Sequence, residues 1–129
     1  MARDLIFIYG SLRRGSANAM SKRFPASKFI ADATVGGSLY DLGAYPGLVS
    51  GASNSRVIGE VYEVDDELMI KLDEFEASTN YLRKQVEISF DDRIETGWAY
   101  EPDPAFYSFQ TLITSGDWMK YAKTKIDPK

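Results

Sequence analysis

Five apolar residues, Leu5-Ile6-Phe7-Ile8-Tyr9, run without interruption and stop at Gly10-Ser11. A strand with one wet face alternates polar and apolar positions. An unbroken run of this length, rich in β-branched and aromatic residues, predicts a strand buried on both faces. Such a strand needs partners along both edges and covering layers on both sides. The rest of the chain supplies candidates. Lys28–Tyr40 places Phe29, Ala31, Ala33 and Val35 at alternate positions, with Gly36-Gly37 predicting a bulge or a close backbone approach. Val57–Val64 reads as a strand, as does Leu82–Phe90, and Asp91-Asp92-Arg93 turns the latter into Glu95–Tyr100. Residues Asp41–Ser55 are rich in turn formers and leave room for one short strand at Gly47-Leu48-Val49.

Helices are fewer. Asp65–Ala77 is the best candidate, with Asp65 as N-cap and acidic residues in the first turn. Ser16–Phe24 is compatible with a second helix stopped by Pro25. Ser115-Gly116-Asp117 caps a final short helix containing Trp118 and Tyr121, and the lysine-rich tail after about residue 122 is expected to fray. Strands with short helices between them predict an α+β fold, the strands curling into a small mixed β-barrel with flanking helices. At 129 residues, with no repeat or linker, residues 1–129 are expected to form one domain. The 8 Tyr, 7 Phe and 2 Trp suit its pleated, half-buried surfaces.

Absent residues narrow the chemistry. Without cysteine there is no disulfide framework, thiolate nucleophile or zinc–thiolate site. Without histidine there is no Ser-His triad, imidazole base or His-ligated metal. An enzymatic acid/base must then be Asp, Glu, Tyr or Lys. A net charge of −4 opposes general nucleic-acid binding. No segment reaches the 18 or so apolar residues of a membrane span, and Leu5–Tyr9 is too short for a signal sequence, so the expected compartment is the cytoplasm. No cofactor or metal is implied: neither GxxxxGK[ST] nor GxGxxG occurs, and Asp91-Asp92 reads as a solvated turn.

Two features point to chemistry. On the Asp65–Ala77 helix, Leu68, Leu72 and Phe75 share a stripe, and Glu76, four residues after Leu72, falls on it; Asp73 and Glu74 project toward solvent. A carboxyl on an apolar face has a raised pKa, as a proton shuttle requires, although the edge of such a stripe can also simply reach water. The second feature is Tyr9-Gly10-Ser11-Leu12, where a buried strand ends and consecutive N–H groups are exposed, suited to a carboxylate or oxyanion. Taken alone, the same segment reads first as an ordinary strand-ending turn.

Together these segments resemble the γ-glutamylcyclotransferase superfamily, in particular its small single-domain, avirulence-induced-gene-like members. The resemblance rests on Tyr9-Gly10-Ser11-Leu12, Ala44-Tyr45-Pro46-Gly47-Leu48, Leu72-Asp73-Glu74-Phe75-Glu76, Tyr81-Leu82-Arg83, Gly97-Trp98-Ala99-Tyr100 and Ser115-Gly116-Asp117-Trp118, in order over most of the chain. One departure is Ala77, where the family has Gly; if that residue ends the helix with positive φ, Ala is strained or the helix ends later. The resemblance implies an enzyme that cyclises a γ-glutamyl group to 5-oxoproline and releases an amine or amino acid. It implies Glu76 as general acid/base and a substrate held by Tyr9, Gly10, Ser11, Leu12, Arg83 and Tyr100. The substrate's own amine is the nucleophile, so a chain without Cys or His suffices. The alternative is a non-catalytic protein that binds a carboxylate-bearing metabolite in the same cavity. The partner is a small molecule in either case, and the leaving group and oligomeric state are left open.

Overall fold

A computed structural model describes residues 3–16, 19–51 and 54–126. In chain order the elements are β1 (Arg3–Ile8), α1 (Met20–Arg23), β2 (Lys28–Asp41), β3 (Pro46–Ser50), β4 (Arg56–Asp65), α2 (Asp66–Ala77), β5 (Tyr81–Phe90), β6 (Arg93–Pro102), β7 (Thr111–Leu112) and α3 (Trp118–Ile126). Strands β2-β4-β1-β6-β5 are neighbours in that order, and β5 returns to β2 at Thr34 and Val35, which closes a five-stranded barrel. Only the β1–β6 pair in this ring is parallel, making the barrel mixed.

The run that opened the sequence has two cores to serve. Phe7 joins Val35, Val61, Ile88 and Ala99, one residue from each barrel strand, in the barrel interior. Ile6 and Ile8 point the other way, into a layer with Leu68, Met69 and Leu72 of α2 and Met20 of α1. A strand alternating between two apolar layers has no polar position, hence the unbroken pattern.

Local chemistry sets the element boundaries. Asp65 accepts a hydrogen bond from the Leu68 N–H at 2.9 Å and caps α2, with Asp66 and Glu67 in the first turn where the helix dipole favours them. Asp91 and Asp92, with φ of 50° and 61°, form the two-residue turn between the Phe90–Arg93 pair, as a type I′ hairpin demands. At Gly37, where β2 leaves β4 and takes β3 as partner, φ is 150° and a side chain would meet the Val49 carbonyl. The Gly-Gly interruption is therefore a close approach; the register shift in β2 lies earlier, between Phe29 and Ala31.

Two helix boundaries differ from the sequence pattern, and the short strand β7 had no counterpart in it. The helix expected over Ser16–Phe24 is a single turn, Met20–Arg23, because Leu12 to Ser16 is tied into turns and Met20 N–H bonds back to the Leu12 carbonyl. Ala17 and Asn18 lie outside the described residues. At the other end α3 is helical to Ile126, past the expected fraying point; residues 127–129 of that tail lie outside the described residues. Among the described residues no helix is long and apolar enough to cross a membrane.

Gly59 of β4 offers a test of the barrel packing. A Cβ there would lie 2.2 Å from the Ile8 carbonyl oxygen and 2.8 Å from the Phe7 ring. Gly59→Ala is expected to lower stability by about 1–3 kcal/mol in urea unfolding, the usual cost of overpacking. An unchanged midpoint would mean that β1 and β4 do not approach this closely.

Candidate active site

Helix α2 continues through Ala77, and Ser78 keeps right-handed helical angles. The left-handed residue comes later, at Asn80 with φ of 65°, a conformation that Asn tolerates well. Ala77 is therefore unstrained, and the helix runs on rather than breaking after Glu76. Turn bonds from the Thr79 and Asn80 amides to the Glu76 and Ala77 carbonyls complete the last turn. Tyr107 pins it by donating to the Thr79 carbonyl at 2.5 Å.

This helix end meets the loop after β1. Glu76, Phe75, Ser78 and Thr79 share one cavity with Tyr9, Gly10, Ser11 and Leu12. Its volume is about 160 Å³, and Tyr45, Pro46, Tyr81 and Tyr100 complete most of the remaining wall. Among the described residues no Lys, Arg or Asp lines it, and Glu76 is the one charged side chain of its wall. Opening onto the cavity leaves Glu76 only half-buried, yet surrounding protein rather than bulk water governs its titration. Burial pushes the carboxyl up from its ordinary 4.5 to about 7.

The loop contributes donors. Arg13 N–H closes the turn onto the Gly10 carbonyl at 3.1 Å, and the Leu12 carbonyl accepts from Met20 N–H at 2.8 Å. The N–H groups of Gly10, Ser11 and Leu12 make no hydrogen bond to any described residue. Main-chain donors without partners beside a cavity are suited to an anionic group.

The tyrosines are committed to the wall. Tyr9 donates to the Tyr100 carbonyl at 2.6 Å and accepts from Leu48 N–H at 3.1 Å, and Tyr81 donates to the Pro46 carbonyl at 2.6 Å. Tyr100 donates to Asp73 at 2.6 Å. Burial, with neighbouring negative charge, holds all three phenols above their ordinary pKa, so they are neutral hydrogen-bonding groups.

Six of the seven residues singled out in the sequence thus line one cavity: Tyr9, Gly10, Ser11, Leu12, Glu76 and Tyr100. Arg83 does not. Its guanidinium pairs with Asp73 at 2.8 Å and lies over the Trp98 ring at 4.6 Å, in an adjoining depression. Asp73, expected to point to solvent, is partly exposed, and its carboxylate is also shared by Tyr100 and Arg83. Tyr45, Pro46 and Tyr81 were not foreseen as site residues. The Tyr81–Pro46 bond spans 35 residues of sequence, and no local pattern announces it. Phe75 carried only the signal of a core position. Among the described residues no three His, Cys, Asp or Glu side chains gather as a metal site.

Known proteins share this architecture. Residues 6–120 match the family described as gamma-glutamyl cyclotransferase, AIG2-like. A Vibrio cholerae relative is 37% identical over 115 residues, covering 88% of this chain and 94% of its own. The Escherichia coli gamma-glutamylcyclotransferase family protein YtfP is 33% identical over 116 residues, covering 88% and 95% respectively. Among solved structures, PH0828 from Pyrococcus horikoshii superimposes with a TM-score of 0.71 at 25% identity, over 97% of this chain and 98% of that one. YkqA from Bacillus subtilis gives 0.77 at 30% identity; this chain is matched over 99% of its length but spans only 44% of YkqA. The protein belongs to the gamma-glutamyl cyclotransferase, AIG2-like family. Its function at the level of class is gamma-glutamylcyclotransferase-like.

Glu76 also leaves a mark on stability. Its folded-state pKa lies above that of the unfolded chain, so the folded protein holds the proton more tightly. Its contribution is therefore most favourable below about pH 4.5 and is lost as pH rises through about 7. Glu76→Gln, which cannot ionise, is expected to exceed the parent in stability by up to about 3 kcal/mol above neutrality, with no difference in acid. Urea midpoints at the two extremes of pH check this; equal midpoints throughout would place the carboxyl in bulk-like solvent.

Proposed function

We propose that the protein cyclises a γ-glutamyl group to 5-oxoproline and releases the attached amine or amino acid. The observation that carries this reading is Glu76, a carboxyl whose proton affinity burial raises, lining the same cavity as the Gly10, Ser11 and Leu12 amides that no described residue pairs. The reaction asks for little else. The α-amine and γ-carbonyl belong to one molecule, so ring closure is intramolecular and much of the entropic barrier is already met.

In this reading the Glu76 carboxylate takes a proton from the substrate's α-ammonium. The freed amine attacks the γ-carbonyl carbon, a C–N bond forms, and the carbonyl electrons pass to oxygen. Glu76 returns the proton to the leaving nitrogen as the original amide C–N bond breaks and the carbonyl re-forms, and the second proton shed by the ring nitrogen ends on the released amine, which departs as its ammonium. A group near pKa 7 performs both transfers at neutral pH. Gly10, Ser11 and Leu12 hold the substrate carboxylate or the oxyanion through their N–H groups. Tyr9 and Tyr100 shape the cavity, and Arg83 acts at one remove by clamping the Asp73 that holds Tyr100. The partner is a small γ-glutamyl compound.

Turnover of γ-glutamyl compounds, read as 5-oxoproline released, tests the reading. Because Glu76 acts first as a base, kcat/KM is expected to rise with pH and level off above about 7. Glu76→Gln fills the same space without shuttling a proton, and its turnover is expected to drop by roughly 100-fold or more. Near-full turnover by this variant would remove Glu76 from the chemistry. Saturable binding of γ-glutamyl compounds without product would make the protein a binder instead.

A further inference from the structure

Among the described residues the Arg13-Arg14 pair and the Ser115-Gly116-Asp117 segment line no part of the cavity wall, yet they meet in one ion cluster around a buried carboxylate. At its centre is Glu60 of β4, which is 2% exposed. Glu60 stands opposite Ile8, the last ladder residue of β1, level with the start of the Gly10–Leu12 loop. Its two oxygens accept the Arg14 main-chain N–H at 3.0 and 3.3 Å. The Arg13 and Arg14 guanidinium groups lie 3.6 and 3.5 Å away, and the Tyr62 hydroxyl donates at 2.8 Å. Arg13 reaches on to Asp117 at 2.9 Å, and Arg14 to Asp32 at 2.5 Å. Asp117 sits below its usual carboxylate range: burial works against this, but the Lys120 amide, Arg13 and the Met119 amide outweigh it.

We infer that Glu60 is a positioning residue for the amide strip, fixing Gly10, Ser11 and Leu12 from behind through the Arg14 peptide and the Arg13 side chain. Donors that must stay free for a ligand cannot hold their own loop in place. The bonds that fix it are made by groups flanking the strip: the Arg13 and Arg14 amides and the Leu12 carbonyl. Simple stability does not require a charge at position 60. A buried ion cluster returns about as much as it costs in desolvation, and a well-packed apolar residue often replaces one without loss. Main-chain geometry at the loop does require it, because one carboxylate collects the Arg14 amide and both guanidinium groups. What the strip binds rests on the cyclotransferase reading; how the strip is held does not.

Glu60→Met keeps the volume and removes the acceptor. Glu60→Gln keeps an acceptor for the Arg14 amide and loses the charge. Asp117→Asn weakens the far end of the Arg13 bridge. Each is compared with the parent by 1H–15N spectra of the Gly10, Ser11 and Leu12 amides in the free protein, and by pH profiles of 5-oxoproline release. In Glu60→Met the three amide signals are expected to shift or broaden and kcat/KM to fall roughly 10- to 100-fold, the scale of an ångström-sized misplacement. The rise through about pH 7 stays in place, since Glu60 does not touch Glu76. Glu60→Gln recovers part of the loss, and Asp117→Asn shows a smaller change in the same direction. Unchanged amide signals with unchanged turnover in Glu60→Met overturn the inference, as does a displaced pH midpoint, which would make Glu60 a partner of Glu76 instead. Should Glu60→Met fail to fold, Glu60→Gln and Asp117→Asn decide by the same readouts. A parent protein that releases no 5-oxoproline sinks the cyclotransferase reading alone, and the amide signals by themselves then decide the role of Glu60.

Discussion

The main-chain ladder of β1 runs out at Ile8, between antiparallel β4 on one side and parallel β6 on the other. Up to that point neighbouring strands consume its peptide groups, and its side chains fill two cores in alternation. Past it the chain has to leave the barrel, and the peptide groups of the next residues have no strand to pair with. Buried donors without partners are costly, so such a stretch persists where it borders a cavity open to solvent or ligand. The cavity at the end of β1 thus follows from the strand order. Helix α2 closes it, because the layer that covers Ile6 and Ile8 also brings the helix's last turn up to the loop.

Three carboxylates in this small protein are withdrawn from water in different ways. Glu60 is surrounded by donors from the loop and from Tyr62. Glu101 is held by the Ser50 hydroxyl and amide, with Lys84 at 3.9 Å. Glu76 meets tyrosines and apolar side chains, with no cation among the described residues of the cavity wall. The first two have donors at their oxygens, whereas desolvation, with no charge partner among the described residues, raises the proton affinity of the third. That contrast makes Glu76 the proton-transfer candidate and leaves the others to architecture.

Parts of the site were legible in the linear chain because their causes are local. Asp65 caps α2 through a bond to the residue three positions on, and Asp91-Asp92 makes its hairpin from its own backbone angles. The placement of Glu76 on the apolar face follows from helical periodicity and Leu72. The fate of Asp73 was not legible, since the groups that capture it, Tyr100 and Arg83, lie on two other strands. The same holds for Arg13, whose partner Asp117 is 104 residues away. The short α1 shows a long-range bond overriding local preference: helix-compatible residues gave way to a tethered loop.

The sequence by itself determined that this chain builds a β-rich α+β fold, that any acid/base chemistry must fall to a carboxylate, phenol or lysine, and which carboxylate shares a helix stripe with Leu68 and Leu72. Composition and periodicity suffice for that, because both act through each residue's own side chain and its nearest neighbours along the chain. The tertiary structure decided which residues share the cavity, why Arg83 stands outside it, and which groups meet behind the Gly10–Leu12 loop. Those outcomes depend on barrel closure, which joins segments from both ends of the chain, and separation along the chain carries no record of it.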